Sequence, residues 1–146
     1  MGEYLFKAQT CNGAWVEGLL AHKDDKWYIS NKAGMPFAYE VRPETICRYT
    51  GKNDAKGKKI WENDILRGHG HPNDLAKVVF GEFYVIDVET LAKVDSVIGW
   101  HTEVIPTDAI SRAEPFCLPM PLTDFYIKRS EWEVIGNCFN NPKEEH

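Results

Sequence analysis

The stretch that decides the fold runs from residue 50 to residue 65 and reads TGKNDAKGKKIWENDI. Within it, Asp54 can accept hydrogen bonds from the backbone of its own turn, and Gly57 can supply the positive φ with which such a turn ends. Apolar residues return at Ile60 and Trp61. The stretch therefore predicts a tight, polar, exposed connection between two buried strands.

Short apolar runs separated by turn signals flank this stretch on both sides. Before it, Asn12-Gly13 and the charged residues 23–26 divide the chain into three or four hairpin-linked strands. After it, we predict strands at 76–80, 83–88, 97–101 and 132–137, with turns at Gly81-Glu82 and 93–95. Residues 102–128 are rich in proline and are predicted to be irregular, with at most a turn or two of helix at residues 107–112.

Many short strands without a sustained helical period indicate a mainly β fold. Such a chain must protect the edges of its sheets, and a small, partly closed barrel does this economically. We therefore expect a single unit over residues 1–146, with a possible sub-division into N-terminal β-hairpins (1–43) and a β-barrel or roll (44–146).

The composition excludes several classes of protein. The chain has 146 residues, a formal net charge of −5 at pH 7 and 43% hydrophobic side chains, which argues against bulk disorder. The negative charge disfavours nucleic-acid binding, although a local basic patch is compatible with it. No apolar run is long enough to span a membrane, and residues 1–9 lack a secretory signal. We expect a cytoplasmic protein without membrane contact.

Several blocks of the chain, taken in order, carry a family resemblance: residues 6–8, 12–18, 49–65 and 133–137, followed by Asn141-Pro142. They resemble the YopX family of bacteriophage and prophage proteins. The resemblance implies a β-rich fold with an SH3-like barrel and a location in a bacterial host cell, but no established reaction. The family usually has Gly where this chain has Asn63. Asn tolerates positive φ better than other non-Gly residues, so the fold assignment survives.

The motif residues that carry the resemblance are candidates for a functional site: Thr50, Gly51, Asp54, Gly57, Ile60, Asp64, Ile65, Gly136 and Asn137. A convergence of Asp54, Glu62 and Asp64 could hold a hard cation. The alternative is structural, with Asp54 building its turn and Asp64 holding a neighbouring loop through backbone hydrogen bonds. Lysines close to these carboxylates repel a cation, so we favour the structural role and expect no metal.

The same stretch holds the basic cluster of the chain: Lys52, Lys56, Lys58 and Lys59, with Trp61 alongside. Lysines next to an exposed aromatic ring can contact a nucleic-acid backbone and stack a base. Nucleic-acid binding by this hairpin is therefore the alternative function, against the simpler interpretation of a solvated sheet edge.

Other chemistry is weakly supported. His69 and His71 flank one glycine and could begin a zinc or nickel site that His101, a carboxylate or a Cys completes, but loop histidines are also ordinary surface residues. No nucleophile elbow, zinc-protease motif or phosphate-binding loop is present. We therefore expect no catalysis and no cofactor.

The aromatic load of 12% fits core filling and also protein–protein contact. We expect a protein that acts by such contact, as a homo-oligomer or with a phage or host protein. The predicted self-association surface, within residues 116–126, is the part of the proline-rich segment that contains Phe116, Leu118, Met120, Leu122, Phe125 and Tyr126.

Overall fold

The structure is a computed structural model that describes residues 5–31, 37–113 and 118–139. Its elements are β1 (Phe6–Gln9), β2 (Trp15–Lys23), β3 (Lys26–Asn31), β4 (Ala38–Val41), a 3₁₀ turn (Pro43–Thr45), β5 (Cys47–Asn53), β6 (Lys59–Trp61), β7 (Asp64–Arg67), β8 (Leu75–Ile86), β9 (Lys93–Val104), β10 (Met120–Pro121), α1 (Asp124–Ser130) and β11 (Glu133–Asn137). The chain divides into two compact units, Met1–Gly51 and Lys52–His146. Asn141 and Pro142 of the family resemblance lie outside the described residues, and so do residues 116 and 117 of the predicted self-association surface.

The first unit is an antiparallel meander in which β2 lies between β1 and β3, and β3 pairs with β4. The small aliphatic core contains Ala8, Ile29 and Val41. Gly18 is required where β2 meets β3, because a Cβ at this position would lie 1.8 Å from the carbonyl oxygen of Ser30. The prediction of hairpin-linked strands at the N-terminal end is confirmed.

The second unit contains a five-stranded antiparallel sheet of order β10-β9-β8-β7-β11. Its core combines strand residues with residues around α1, namely Ile60, Leu66, Ala76, Val78, Leu122, Ile127, Trp132 and Val134. The last residues of β5, from Lys52 onward, belong to this unit, and β6 is the next strand in the sheet that contains β5. Helix α1 begins at the hydroxyl of Thr123, which accepts the N–H of Tyr126, and ends at Glu131 with φ 53°.

The mainly β class is confirmed, but neither sheet closes into a barrel in the described part of the chain. One sheet ends in β4 and β6, and the other in β10 and β11. The expectation from edge protection failed because short end strands limit the unpaired backbone: β6 has three residues and β10 has two. The sub-division at residue 43 stays a prediction.

The predicted turn at Gly81-Glu82 is wrong, because both residues lie inside the 12-residue strand β8. Gly81 faces Gly99 of β9 across the ladder, so a residue that usually marks a turn here sits within a regular pair. The chain turns instead after Asp87, whose carboxylate accepts the N–H groups of Glu89 and Thr90 at 2.8 and 3.0 Å. The turn predicted at residues 93–95 is also wrong, since β9 begins at Lys93.

Residues 102–128 are less irregular than predicted. β9 continues to Val104, β10 adds a short strand, and α1 begins at Asp124. The helix escaped the sequence analysis because it has only seven residues and buries only Ile127, so no apolar period can develop along it.

Candidate functional site

The Asp54 turn forms as predicted. One carboxylate oxygen of Asp54, Oδ1, accepts the backbone N–H groups of Lys56 and Lys58 at 2.9 and 2.8 Å. Gly57 has φ 88°, and its N–H donates to the carbonyl of Asp54 at 3.0 Å. The side chain of Asp54 is nonetheless buried, with 6% exposure, whereas the rest of the turn faces solvent.

The second oxygen of Asp54 explains this burial. Oδ2 accepts the backbone N–H of Val134 at 2.9 Å, and the N–H of Ala55 donates to the carbonyl of Trp132 at 2.9 Å. Two blocks that carry the family resemblance, residues 49–65 and 133–137, are therefore joined through one carboxylate. The sequence indicates the turn that Asp54 builds but carries no local signal for this contact.

The β6–β7 turn makes a second connection to β11. Asn63 has φ 71°, which confirms that this position requires the left-handed conformation. Its carbonyl accepts the N–H of Cys138 at 3.3 Å. Asp64 is buried, and its Oδ2 accepts the N–H of Trp61 at 2.8 Å, as the structural interpretation predicted.

The remaining motif residues also lie in the framework. Thr50 and Gly51 are on β5, and Ile60 is fully buried on β6. Ile65 pairs with Gly136 of β11, next to an irregularity in the ladder, and Asp64 pairs with Asn137. Within the second unit, Asp54, Asn63, Asp64 and Ile65 connect the turn and the β6–β7 hairpin to the end of the chain around β11, and this set is called the junction below.

A metal site is not assembled from these side chains. Across residues 5–31, 37–113 and 118–139, no group of three His, Cys, Asp or Glu side chains is placed to hold a metal ion. Both oxygens of Asp54 accept backbone N–H groups, and such acceptance is the role expected of a turn-building carboxylate.

The lysines of the hairpin divide into two pairs. Lys52 contacts Asp124 at 3.3 Å and Lys56 contacts Glu133 at 3.1 Å, whereas the ammonium groups of Lys58 and Lys59 form no ion pair within the described residues. Trp61 is only 5% exposed, so the prediction of an exposed ring that stacks a base is wrong. The ring is buried because it follows Ile60 into the sheet.

Glu133 receives two cations at the start of β11. Its Oε2 lies 3.1 Å from Lys56 Nζ, and its Oε1 lies 3.2 Å from an Arg67 guanidinium nitrogen. Hydrogen bonds from Lys56 and then Arg67 lower the pKa of Glu133 below its ordinary value of 4.5. A charged group beside the junction is therefore held ionised.

The three histidines of the candidate metal site, His69, His71 and His101, each contact neighbouring residues. His71 Nδ1 accepts the N–H of Asn73 at 3.1 Å, and His69 Nδ1 lies 3.7 Å from the carboxylate of Glu131. His101 lies on β9, where it is buried against Phe83 with 4.4 Å between the ring centroids. It lines an open cleft of about 270 Å³ that the sequence analysis did not foresee.

The outer part of the β8–β9 hairpin is an exposed apolar surface. β7 pairs with β8 only at residues Leu75, Ala76 and Lys77, and β10 pairs with β9 only at His101 and Thr102. Residues 80–100, called the β8–β9 arm below, therefore form a two-stranded ribbon within the described part of the chain. Its most exposed apolar side chains are Val88, Leu91, Val94 and Ile98, at 89%, 78%, 63% and 73%.

One face of the β8–β9 arm continues the core outward. Trp100 is half-buried against the core cluster, and the ring of Phe80 contacts it edge-on at 5.1 Å. Ile98 is on the same face as Trp100, because alternate residues of a strand share a face. Trp100, Phe80 and Ile98 thus form an apolar strip that begins at the core and becomes exposed to solvent along the arm.

The predicted self-association segment is partly buried within the described residues, and its self-association stays a prediction. Leu122 is buried in the core and Tyr126 packs against it, while Phe125 is 72% exposed. Helix α1 has seven residues, and no helix in the described ranges is long and apolar enough to cross a membrane.

Two open antiparallel sheets and a motif junction define a small, mainly β protein in which the most recognisable residues are structural. The family model described as YopX protein matches residues 5–144, nearly the whole chain. The chain therefore belongs to the YopX family. No curated protein matches it.

Proposed function

We propose that this YopX protein is a non-catalytic, phage-type protein of the bacterial cytoplasm that acts by protein–protein contact, as a homo-oligomer. The observation that carries the proposal is the β8–β9 arm. Its exposed apolar side chains lie on a ribbon that is paired only with itself in the described residues, and two-stranded ribbons are marginally stable in water. Large exposed apolar patches commonly mark contact surfaces.

The motif residues support a non-catalytic role. Asp54, Asp64 and Asn63 use their side chains or backbone to join strands, and the hydrogen bonds of Asp54 are all made to backbone groups. A site for chemistry needs reactive groups that converge on a substrate, and these groups converge on the protein itself.

Sedimentation of the wild type over a wide concentration range tests the proposal. We expect a mass above the 16.7 kDa of one chain that rises with concentration. The triple variant Val88→Thr, Val94→Thr and Ile98→Thr keeps β-branched side chains while making the β8–β9 arm polar, so it should shift the protein to the monomer. Leu19→Thr, at an exposed apolar position of β2, is the matched control and should not. A wild type that is monomeric throughout contradicts the proposal.

A second candidate function is nucleic-acid binding by the hairpin of residues 52–59. The observation in its favour is that the ammonium groups of Lys58 and Lys59 are not paired in the described residues. The burial of Trp61 leaves this hairpin with phosphate contacts but no stacking ring, which predicts weak, salt-dependent, sequence-independent binding.

Fluorescence anisotropy with single-stranded and double-stranded oligonucleotides at two salt concentrations tests this alternative. The variant Lys58→Glu with Lys59→Glu should lose the affinity, and Lys23→Glu with Lys26→Glu, a pair of exposed lysines elsewhere, should retain it. Absence of salt-dependent affinity in the wild type removes nucleic-acid binding as a function.

A further inference from the structure

The second unit carries two hairpins of opposite charge. The β8–β9 arm holds the acidic residues Glu82, Asp87, Glu89 and Asp95 against one lysine, Lys93. The hairpin of residues 52–59, called the basic hairpin below, holds four lysines against one aspartate. The two hairpins therefore have charges of equal size and opposite sign.

The charges of the β8–β9 arm are directed at solvent. Glu82, Glu89 and Asp95 are exposed, and none of them forms an ion pair in the described residues. Lys93 lies over the ring of Tyr84, with 4.2 Å between Nζ and the ring centroid, on its own chain. The acidic side chains thus have no cation of their own hairpin as a partner.

The basic hairpin has two lysines, Lys58 and Lys59, whose charge is opposite to that of the β8–β9 arm. Lys52 and Lys56 are held by Asp124 and Glu133, which leaves Lys58 and Lys59 as the cations without an acidic partner in the described region. Their backbone is fixed, because Asp54 binds the N–H of Lys58 and Lys59 begins β6. A rigid turn that presents two unpaired ammonium groups suits an acidic surface, since little further ordering is required.

We propose that the β8–β9 arm of one copy docks on the basic hairpin of a second copy, with Glu82, which pairs with Ile98 across the ladder and shares its face, lying opposite Lys58 and Lys59. This inference rests on the homo-oligomer proposed above and adds the two surfaces that meet. The contact joins different surfaces, so it is a head-to-tail arrangement that generates a ring or an open chain of copies. Apolar contact by Ile98 and its neighbours supplies affinity, and the charges fix the orientation.

A second copy fits this surface better than a nucleic acid or an unrelated protein, because one chain carries both the acidic β8–β9 arm and the basic hairpin. A nucleic acid would be repelled by the acidic β8–β9 arm and would leave its apolar side chains exposed. Docking of a second copy pairs an acidic group of the β8–β9 arm with the basic hairpin and covers the apolar strip in one arrangement.

A charge-swap experiment tests the docking. The hairpin variant carries Lys58→Glu and Lys59→Glu, and the arm variant carries Glu82→Lys. Each variant alone should be monomeric by sedimentation at concentrations where the wild type is oligomeric. An equimolar mixture should regain the oligomer, because each acidic surface then meets a basic one. A chain with all three substitutions should also assemble.

The controls separate folding from docking. Circular dichroism should show the same β content for both variants and the wild type, and Lys23→Glu with Lys26→Glu should leave the oligomer intact. If the wild type assembles but neither variant loses assembly, or if the folded variants fail to complement each other, the head-to-tail docking is wrong and the homo-oligomer stands. If the wild type is monomeric at every concentration, both proposals are overturned.

Discussion

Asp54 accepts the backbone N–H of Val134 at 2.9 Å across 80 positions of sequence, while its other oxygen closes its own turn. One buried carboxylate thus fixes a local turn and a distant strand at the same time. Hydrogen bonds to an ionised acceptor are stronger than neutral ones, and a buried N–H without a partner is costly.

Replacement of Asp54 should therefore destabilise the protein more than a usual polar substitution. We expect Asp54→Ala to lower the free energy of unfolding by about 3 kcal/mol, because it leaves the N–H of Val134 buried and unpaired. Asp54→Asn should cost less than Asp54→Ala, since one amide oxygen still serves the turn. Urea unfolding measures both values.

The matched control for Asp54→Asn is Asp124→Asn. Asp124 forms a surface ion pair with Lys52, with a side chain that is 72% exposed, and such pairs contribute about 0 to 1 kcal/mol. Equal losses for the two Asn variants would show that the contact with Val134 is not a principal support of the second unit.

Asn63 provides a prediction about backbone strain. It has φ 71°, a conformation that costs most L residues about 1 to 2 kcal/mol but costs Gly nothing. Asn63→Gly should stay within about 0.5 kcal/mol of the wild type, and Asn63→Ala should lose about 1 kcal/mol in urea unfolding.

Asn73→Ala is the control for that series, because Asn73 lies in an exposed turn and does not have positive φ. It should be nearly neutral. A loss in Asn63→Gly larger than that in Asn63→Ala would contradict the conformational explanation and point to the Asn63 side chain instead.

The lowered pKa of Glu133 leads us to expect that the protein loses stability in acid. Its pKa is lowered in the folded protein by Lys56 and Arg67, so its contribution is complete above the ordinary value of 4.5 and is lost as the pH falls through the lower folded value. The difference in Tm between the wild type and Glu133→Gln should therefore be constant near neutral pH, shrink below about 4.5, and vanish in stronger acid.

Thermal unfolding over a pH series measures this difference, with Glu89→Gln as a control that removes an exposed carboxylate from the β8–β9 arm. The control should show little difference from the wild type at any of these pH values. A difference for Glu133→Gln that persists unchanged into strong acid would mean that the glutamine is disruptive for steric reasons.

The sequence predicted those parts of the junction that depend on neighbouring residues. Asp54 reaches N–H groups two and four positions away, and Gly57 and Asn63 adopt the backbone conformations that their residue types favour. These features follow from local geometry, so a short stretch of sequence contains them. The contact with Val134 depends on the arrangement of the whole unit and leaves no local signal.

The errors have the same physical origin. Gly81 resembles a turn residue when it is considered with its neighbours, but the pairing with Gly99 keeps it in a strand. Leu122 lies in the core, which its neighbours in sequence do not indicate, and self-association by its segment stays a prediction. Which apolar residues stay exposed is decided by pairing between strands, and this is why the β8–β9 arm was not predicted.

Helix α1 holds two large apolar residues, Phe125 and Ile127, in opposite environments. Ile127 is 2% exposed within the core cluster, and Phe125 is 72% exposed. Ile127→Ala should lower the free energy of unfolding by about 2 to 5 kcal/mol through lost burial and the cavity that remains. Phe125→Ala should change it by less than about 0.5 kcal/mol, as surface substitutions usually do. Urea unfolding followed by tryptophan fluorescence measures both, since Trp132 shares the core with Ile127. Similar losses for the two variants would show that α1 does not dock through Ile127.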